Sequence, residues 1–416
     1  MIDWQRKFDL SIRPGLDRMC ALMDQLGHPE RELAVVHIAG TNGKGSTAAM
    51  IGAGLASQGL QVGMTVSPDL GRINERILFN QTPISDPELD ALAAELERAQ
   101  RRMSEPPTFF EAMIAMAFLA FRRRQIDVAV VEVGLGGRWD ATNVVPAPLL
   151  SVITPIHYDH MDLLGPRIED IAGEKAGILK PGSRLVLANQ PFPAAGAVVL
   201  ERARSLNVPV RRPEGVSYND QGRPVWRSVS GFTVRTGLLG LYQAENLATA
   251  WTAIEQLAEL GWISDVAKAA HAMEAVSWPG RFQVISDHPR VVIDGAHNLH
   301  GAEALAATLK VPPWGDYTWH LLFSGLNDKP VDQMLEVLVP VVRSVILTSF
   351  DSDRAAKPEE VLEKLKPDSK FSRIDDAASA FAQIRDRVAV EGPGSALLIT
   401  GSLAFLAHLR RSGIIP

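Results

Sequence analysis

The chain has 416 residues, 46% hydrophobic and 22% charged, with a net charge of −6; this profile excludes a fibrous or disordered protein and predicts two or three globular domains. The acidic balance argues against a surface built as a whole for nucleic acid, and a single cysteine, Cys20, excludes an internal disulfide and a cysteine zinc cluster. Charges in Met1-Ile2-Asp3-Trp4-Gln5-Arg6-Lys7 replace the apolar core of a secretory signal, and the longest apolar run, 112–121, is too short for a bilayer. A reducing, cytoplasmic setting without a membrane partner is expected.

In chain order, the apolar runs Val35–Ala39, 62–66, 128–133, 149–154 and 185–188 read as strands, and helical patterns fall at 48–58, 86–103, 109–124 and 168–176. Strands without polar alternation, separated by helices, predict a parallel sheet covered on both faces. Residues 206–236 differ. Pro209, Pro213, Gly215, Gly222, Pro224 and Gly231 interrupt short β-like pieces there, predicting a small antiparallel excursion before a helix over 244–260. Ser277-Trp278-Pro279-Gly280-Arg281 is the candidate linker. Beyond it the alternation restarts, with strands at 291–294, 319–323, 345–347 and 396–400 and helices at 302–309, Val331–Leu338 and 375–389. A second unit of roughly 135 residues can hold its own core.

The first strand runs into Gly40-Thr41-Asn42-Gly43-Lys44-Gly45-Ser46-Thr47. Three glycines around one lysine let backbone N–H groups converge, and the following helix adds partial positive charge, an arrangement suited to polyphosphate. Lys44 is placed to reach the outer phosphates of a nucleotide. The spacing departs from the general phosphate-binding loop, because Gly45 stands where a metal-binding Ser or Thr normally follows the lysine.

Further chemistry clusters at later strand ends. Glu132 closes a buried strand, where a carboxylate is costly unless it is paired, caps loop N–H groups or supports a phosphate-bound Mg²⁺. Arg138-Trp139-Asp140-Ala141-Thr142-Asn143 follows the same turn and opens onto the same crevice. His157-Tyr158-Asp159-His160 ends the next strand. Zinc lacks further ligands nearby in sequence, so support of a second Mg²⁺, a phosphate contact or simple backbone satisfaction remain open for these histidines. Ile168, Ile171, Ala172 and Lys175 share one helical face. A partly buried lysine can become nucleophilic toward CO₂, although spacing alone favours a solvated lysine beside Glu169 or Glu174. Arg122-Arg123-Arg124 reads as a solvated helix C-terminus or an anion site. Thr108 and Glu111 have capping-box spacing. In the second unit, Asp294-Gly295-Ala296-His297-Asn298 is either ordinary turn chemistry or, with Arg281, a lid on bound nucleotide.

Taken in order from about residue 10 to 405, these motifs resemble the folylpolyglutamate synthase/dihydrofolate synthase family within the Mur ligases. Carrying the resemblance are 39–46, Ser67-Pro68, Asn74-Glu75-Arg76-Ile77, Thr108-Phe109-Phe110-Glu111, 132–143, Asp159-His160, 174–178, Gln243 with Asn246, Pro279-Gly280-Arg281 and 294–298. It implies an α/β fold: an N-terminal P-loop ATPase domain (1–278) with a parallel sheet and small antiparallel excursion, a linker (279–287) and a C-terminal Rossmann-like glutamate-ligase domain (288–416). It implies an ATP-dependent ligase adding L-glutamate to dihydropteroate, to a reduced folate, or to both, through an acyl phosphate, acting as a monomer. Thr41, Asn42, Gly43, Lys44, Gly45, Ser46 and Thr47 would bind ATP, with Asn246 near the adenine, Arg281 and His297 near the phosphates and Asp294 near the ribose. Ser67, Glu132 and His160 would be the magnesium ligands of two sites, Ser67 supplying the hydroxyl missing at Gly45, and Lys175 would be carbamylated. Lys44, Lys175, Arg281 and His297 would carry catalysis; Leu16, Asp17, Thr108, Phe110, Asp140 and Ala141 would hold the pterin. The chain departs from the pattern at Asp69, Ile73 and Tyr242, and 324–329 keeps only the shape of the family's Gly…Asp-Lys segment. A Mur-type ligase for another carboxylate, such as a cell-wall precursor, and a non-catalytic P-loop ATP-binding protein are the alternative readings.

Overall fold

The computed structural model describes residue 9, residues 11–365 and residues 369–416; the charged segment 1–7 lies outside them. The large sheet contains β1 (Val35–Ala39), β2 (Val62–Thr65), β3 (Ile77–Phe79), β4 (Thr82–Pro83), β5 (Val128–Glu132), β6 (Leu150–Ile153), β7 (Arg184–Leu187) and β8 (Val210–Arg211), in the order β4-β3-β2-β5-β1-β6-β7-β8. All pairings from β2 to β8 are parallel; β3 and β4 form an antiparallel edge. The two faces sort by alternation. Val36, Ile38, Val128 and Val130 pack with the helices Lys44–Ala56 and Gln243–Glu259. Val35, Ala129 and Val131 face the helices Asp17–Leu26, Asp86–Gln100 and Phe109–Arg123. Burial on both sides explains the unbroken apolar runs.

The expected excursion is a three-stranded antiparallel sheet, β9 (Gly215–Asp220), β10 (Arg223–Ser228) and β11 (Thr233–Arg235), with β10 central. Val210–Arg211 instead joins the large sheet. Trp251, fully buried beneath Phe232, ties this sheet to the core. Trp251→Ala is expected to cost about 3–5 kcal/mol, read as a lower denaturant midpoint of the first unfolding transition.

The second unit is built on β12 (Gln283–Asp287), β13 (Arg290–Ile293), β14 (Thr318–Phe323), β15 (Ser344–Leu347), β16 (Phe371–Arg373) and β17 (Ser395–Thr400), ordered β12-β13-β17-β14-β15-β16. Every pairing is parallel except β12 with β13, and helices cover both faces. The second half of the stretch expected as linker, 279–287, is thus the edge strand β12. The sequence pattern also passed over the helices Asp17–Leu26, Pro193–Ser205, Val266–Glu274, Pro358–Lys364 and Leu403–Arg411. In Pro193–Ser205 the buried positions are the small Ala195, Gly196, Val199 and Ala203, which leave a weak apolar stripe. Among the described residues no helix is long and apolar enough to cross a membrane.

Candidate functional site

The carboxyl ends of β1, β5 and β6 meet at one crevice, where open parallel sheets bind ligands. The loop after β1 is shaped by its glycines. At Gly40 (φ 145°) a Cβ would lie 1.8 Å from Thr154 Oγ1, and at Gly43 (φ 87°) one would lie 2.1 Å from Asn246 Oδ1. Gly43 caps a helix that starts at Lys44, four residues before the expected 48. Thr41 fastens the loop to the next strand end, its N–H donating to Pro155 O (3.0 Å) and its hydroxyl bonding both the carbonyl and the N–H of His157.

Two ammonium groups converge on this loop. Lys44 Nζ donates to Gly40 O (3.2 Å) and Thr41 O (3.1 Å); Lys175 Nζ donates to the same Gly40 carbonyl (3.0 Å). Desolvation lowers both pKa values, and Lys44 pushes Lys175 further, to about 7. The solvated alternative for Lys175 is overturned: it is 4% exposed, and Glu174 pairs instead with Arg138 (3.6 Å).

Glu132 is buried, and Oε2 accepts the Ser67 N–H (3.3 Å). Desolvation raises its pKa, opposed by Lys44 and Arg281. At Gly45 a Cβ would stand 2.9 Å from Trp278 Nε1 and 3.5 Å from Glu132 Oε2, so the linker indole excludes a side chain beside the lysine. Gly45→Ser is expected to leave the fold intact and displace the loop enough to lose about 10²-fold in ATP turnover, measured as ADP release alongside a thermal melt.

Among the described residues no group of three or more His, Cys, Asp and Glu side chains is arranged to hold a metal. The donor set nevertheless suits Mg²⁺, which takes one or two protein oxygens and completes its shell with phosphate and water. The Glu132 carboxylate and Ser67 hydroxyl are such oxygens. His160 offers nitrogen, and its Nε2 lies 3.5 Å from Lys329 Nζ. Burial lowers the His160 pKa, so the ring is neutral at pH 7.

From the second unit, Arg281, Asp294 and His297 border the same cavity as Gly40 to Ser46, Glu132, Lys175 and Asn246. Asp294, expected beside a ribose, has both oxygens engaged by protein: Oδ2 accepts Tyr242 Oη (2.6 Å) and Phe282 N (2.8 Å), and Oδ1 accepts Ala296 N (2.8 Å). It fixes the turn after Arg281, and Tyr242 at its departure position serves that turn. Burial lowers the His297 pKa to about 4; the neutral ring bonds Gly295 O through Nδ1 (2.9 Å) and brings no charge. Asn246, expected near adenine, packs on the phosphate loop at Gly43 and donates to Gln243 Oε1 (2.8 Å), while Gln243 Nε2 donates to Ser46 Oγ (3.2 Å). Thr47 is fully buried and does not border the cavity.

The six expected pterin positions also lie off that cavity. Leu16 and Asp17 begin the helix Asp17–Leu26. Thr108 forms the capping box with Glu111, and Glu111 pairs with Arg18 (3.0 Å). Asp140 accepts Leu135 N, Thr142 N and Thr142 Oγ1 next to buried Ala141. Phe110 packs where a Gly134 Cβ would sit, 2.4 Å away, and Gly134 does border the cavity. The hydroxyl of Thr108 and the carboxylate of Asp140 are therefore occupied in shaping backbone, which favours the capping reading.

An anion site at Arg122-Arg123-Arg124 is overturned as well. Arg122 donates to Leu26 O and Gly27 O, Arg123 pairs with Glu95, and Arg124 pairs with Glu88. Asp69 is paired with Arg76 (2.7 Å); burial would raise its carboxyl, but Arg76 holds it below the ordinary value. Sequence reasoning named Asn298 in a possible lid, Trp278 in the linker and Lys329 in the Asp-Lys segment without their partners, and it missed His300.

The profile described as Mur ligase middle domain matches residues 38–254, and that of the Mur ligase glutamate ligase domain matches 280–403. A Bacillus subtilis dihydrofolate synthase/folylpolyglutamate synthase is 38% identical, covering 97% of this chain and 96% of that protein. A Lacticaseibacillus casei folylpolyglutamate synthase is 35% identical, covering 95% and 93% respectively. The crystal structure of a Mycobacterium tuberculosis folylpolyglutamate synthase complexed with ADP and AMPPCP superimposes with a TM-score of 0.87 at 36% identity, over 96% of this chain and 95% of that one.

Proposed function

The chain belongs to the folylpolyglutamate synthase/dihydrofolate synthase family of Mur ligases, and we propose that it adds L-glutamate both to dihydropteroate and to reduced folates at the one cavity described above. It is an ATP-dependent ligase for folate and dihydropteroate substrates, as these relatives are. The double acceptor range rests on the resemblance to the Bacillus subtilis relative, which carries both names.

A carboxylate is a poor acyl donor until one oxygen becomes a leaving group. Transfer of the γ-phosphoryl of ATP to that oxygen gives an acyl phosphate and ADP; the glutamate amine then attacks the acyl carbon, the C–O bond to phosphate breaks and an amide forms. The observation that carries this reading is the convergence of Lys44, Glu132 and Lys175 opposite Arg281 in one cavity. Lys44 and Arg281 are placed to neutralise the moving phosphoryl. Thr41, Asn42, Gly43, Gly45 and Ser46 shape the loop around it, while Thr47 and Asn246 support that loop. Asp294 and neutral His297 order the facing turn.

Glu132 and Ser67 would hold Mg²⁺, and His160 a second ion; bound Mg²⁺ supplies charge neutralisation on the phosphates. Lys175, with its pKa near 7, has a free amine to attack CO₂, and the resulting carbamate would place a fixed negative charge at the second metal. The pterin position at Leu16, Asp17, Thr108, Phe110, Asp140 and Ala141 is supported through Phe110 and Gly134, which connect it to the cavity wall. We assign 1–278 to the ATPase domain, 279–282 to the connection and 283–416, which begins with β12, to the ligase domain, in a monomeric, cytoplasmic enzyme.

Phosphate release with ATP, Mg²⁺ and L-glutamate tests this directly. Release is expected with dihydropteroate and with tetrahydrofolate, each accompanied by amide. Release with only one acceptor would remove the double range, and release only with a cell-wall precursor would overturn the proposal.

A further inference from the structure

Lys329, Asn298 and His300 join the second unit to the phosphate loop and the strand end beside it. Lys329 Nζ donates to Asp159 Oδ1 at 2.5 Å, with the two side chains 6% and 9% exposed. Asn298 Nδ2 donates to Asp159 Oδ2 (2.9 Å) and to Asn42 Oδ1 (3.1 Å), and Asn42 Nδ2 donates back to Asn298 Oδ1 (3.3 Å). The His157 and His300 rings stack with centroids 3.3 Å apart. Both oxygens of Asp159 are thus held from across the cavity, while Oδ1 also accepts the N–H of His160 (2.9 Å).

The placement is specific. Asn42 lies within the loop that carries Lys44. Asp159 immediately precedes His160, which adopts a left-handed backbone (φ 52°). Asn298 is the N-cap of the helix Leu299–Thr308, accepting Gly301 N at 2.9 Å, so its amide orientation is fixed by the second unit. A contact that served only to hold two halves together has no need to reach the phosphate loop. Burial of a charged, directional pair makes the closed geometry sharply defined, because separating the partners leaves desolvated charge on each.

We propose that Asp159, Lys329 and Asn298 are positioning residues which lock the second unit over the phosphate loop, so that the acyl phosphate meets the glutamate amine before it meets water. The inference rests on the acyl-phosphate reading above. Attack by the amine gives one amide and one phosphate, with loss of an amine proton. Attack by water breaks the same C–O bond and returns the starting carboxylate, so phosphate is released without amide. The ratio of phosphate to amide therefore reports the lock, and simple loss of folded enzyme does not change it.

The experiment compares the full-length parent with Lys329→Met and Lys329→Arg, measuring phosphate and amide in the same reactions with whichever folate acceptor the parent uses. The parent is expected to release about one phosphate per amide. Lys329→Met is expected to release about two or more, with the KM for glutamate raised about tenfold, the effect of one lost charge-assisted hydrogen bond; Lys329→Arg should recover most of both. Small-angle scattering with AMPPCP should show a larger radius of gyration for Lys329→Met than for the parent. An unchanged ratio, KM and radius would overturn the lock, as would reduced turnover at an unchanged ratio. A parent that forms no amide would overturn the ligase reading itself, and the scattering comparison alone would then decide the lock.

Discussion

Lys44→Ala is expected to lower glutamate-dependent ADP release by about 10²–10³-fold, the usual loss when one preorganised positive donor is removed from a developing phosphoryl charge. The lysine opens the helix Lys44–Ala56 at the mouth of the loop, and its ammonium bonds two loop carbonyls. Alanine is a good helix former, so the helix is expected to persist and the protein to fold. A second effect follows at Glu132. Lys44 is the largest influence holding that buried carboxyl down against desolvation. Without it the carboxyl pKa rises further, and a protonated Glu132 is a poor ligand for Mg²⁺. The variant should therefore need more Mg²⁺ as well as turning over slowly. ADP release at the parental rate would end the assignment of this lysine.

The second large effect is expected at Lys175. Removing dissolved CO₂ should reduce activity, bicarbonate should restore it, and Lys175→Ala should lose about 10²-fold in kcat together with the bicarbonate response. An intact-mass increase of one CO₂ in the parent, absent from the variant, is the independent check. The pH dependence has a definite sign. Burial and Lys44 bring the folded-state pKa from 10.5 to about 7, and only the neutral amine attacks CO₂. Bicarbonate dependence should therefore be steeper at pH 6 than at pH 8. For stability, the unfolded chain binds more protons than the folded one between about 7 and 10.5. Before carbamylation, this lysine therefore destabilises the fold most below pH 7, and the penalty fades as pH rises toward 10.5. Activity indifferent to CO₂ across that range would remove the carbamate.

Much of the architecture was legible because strands buried on two faces need apolar residues at every position. Val35–Ala39 and the run ending at Glu132 announce themselves that way. Lys175 shares the face of Ile168, Ile171 and Ala172, yet spacing alone favoured a solvated lysine beside Glu169 or Glu174, and the structure buries it. Helix starts were less legible where small residues dominate: Gly45 and Ser46 are poor helix formers, and the structure makes them helical because Gly43 caps the turn and Asn246 packs on it. The spacing of Thr108 and Glu111 announced the capping box that the structure shows. Asp140 stood out as a chemical group at the crevice, and the structure uses it to accept Leu135 N and Thr142 N. The pairing of Lys329 with Asp159 was hidden for a different reason, although both residues stand in motifs that the sequence marks. Each is an ordinary loop charge until the chain brings together positions 170 residues apart, and no local pattern encodes that pairing.

The packing at Gly43 and Gly45 has a consequence for synthesis. The loop sequence emerges early from the ribosome, but the side chains against which it is moulded, Asn246 and Trp278, are encoded in the second half of the chain. A nascent chain halted between them carries every residue of the nucleotide motif without its finished shape. The packing partners of the loop therefore arrive only with the helix Gln243–Glu259 and the linker that follows it.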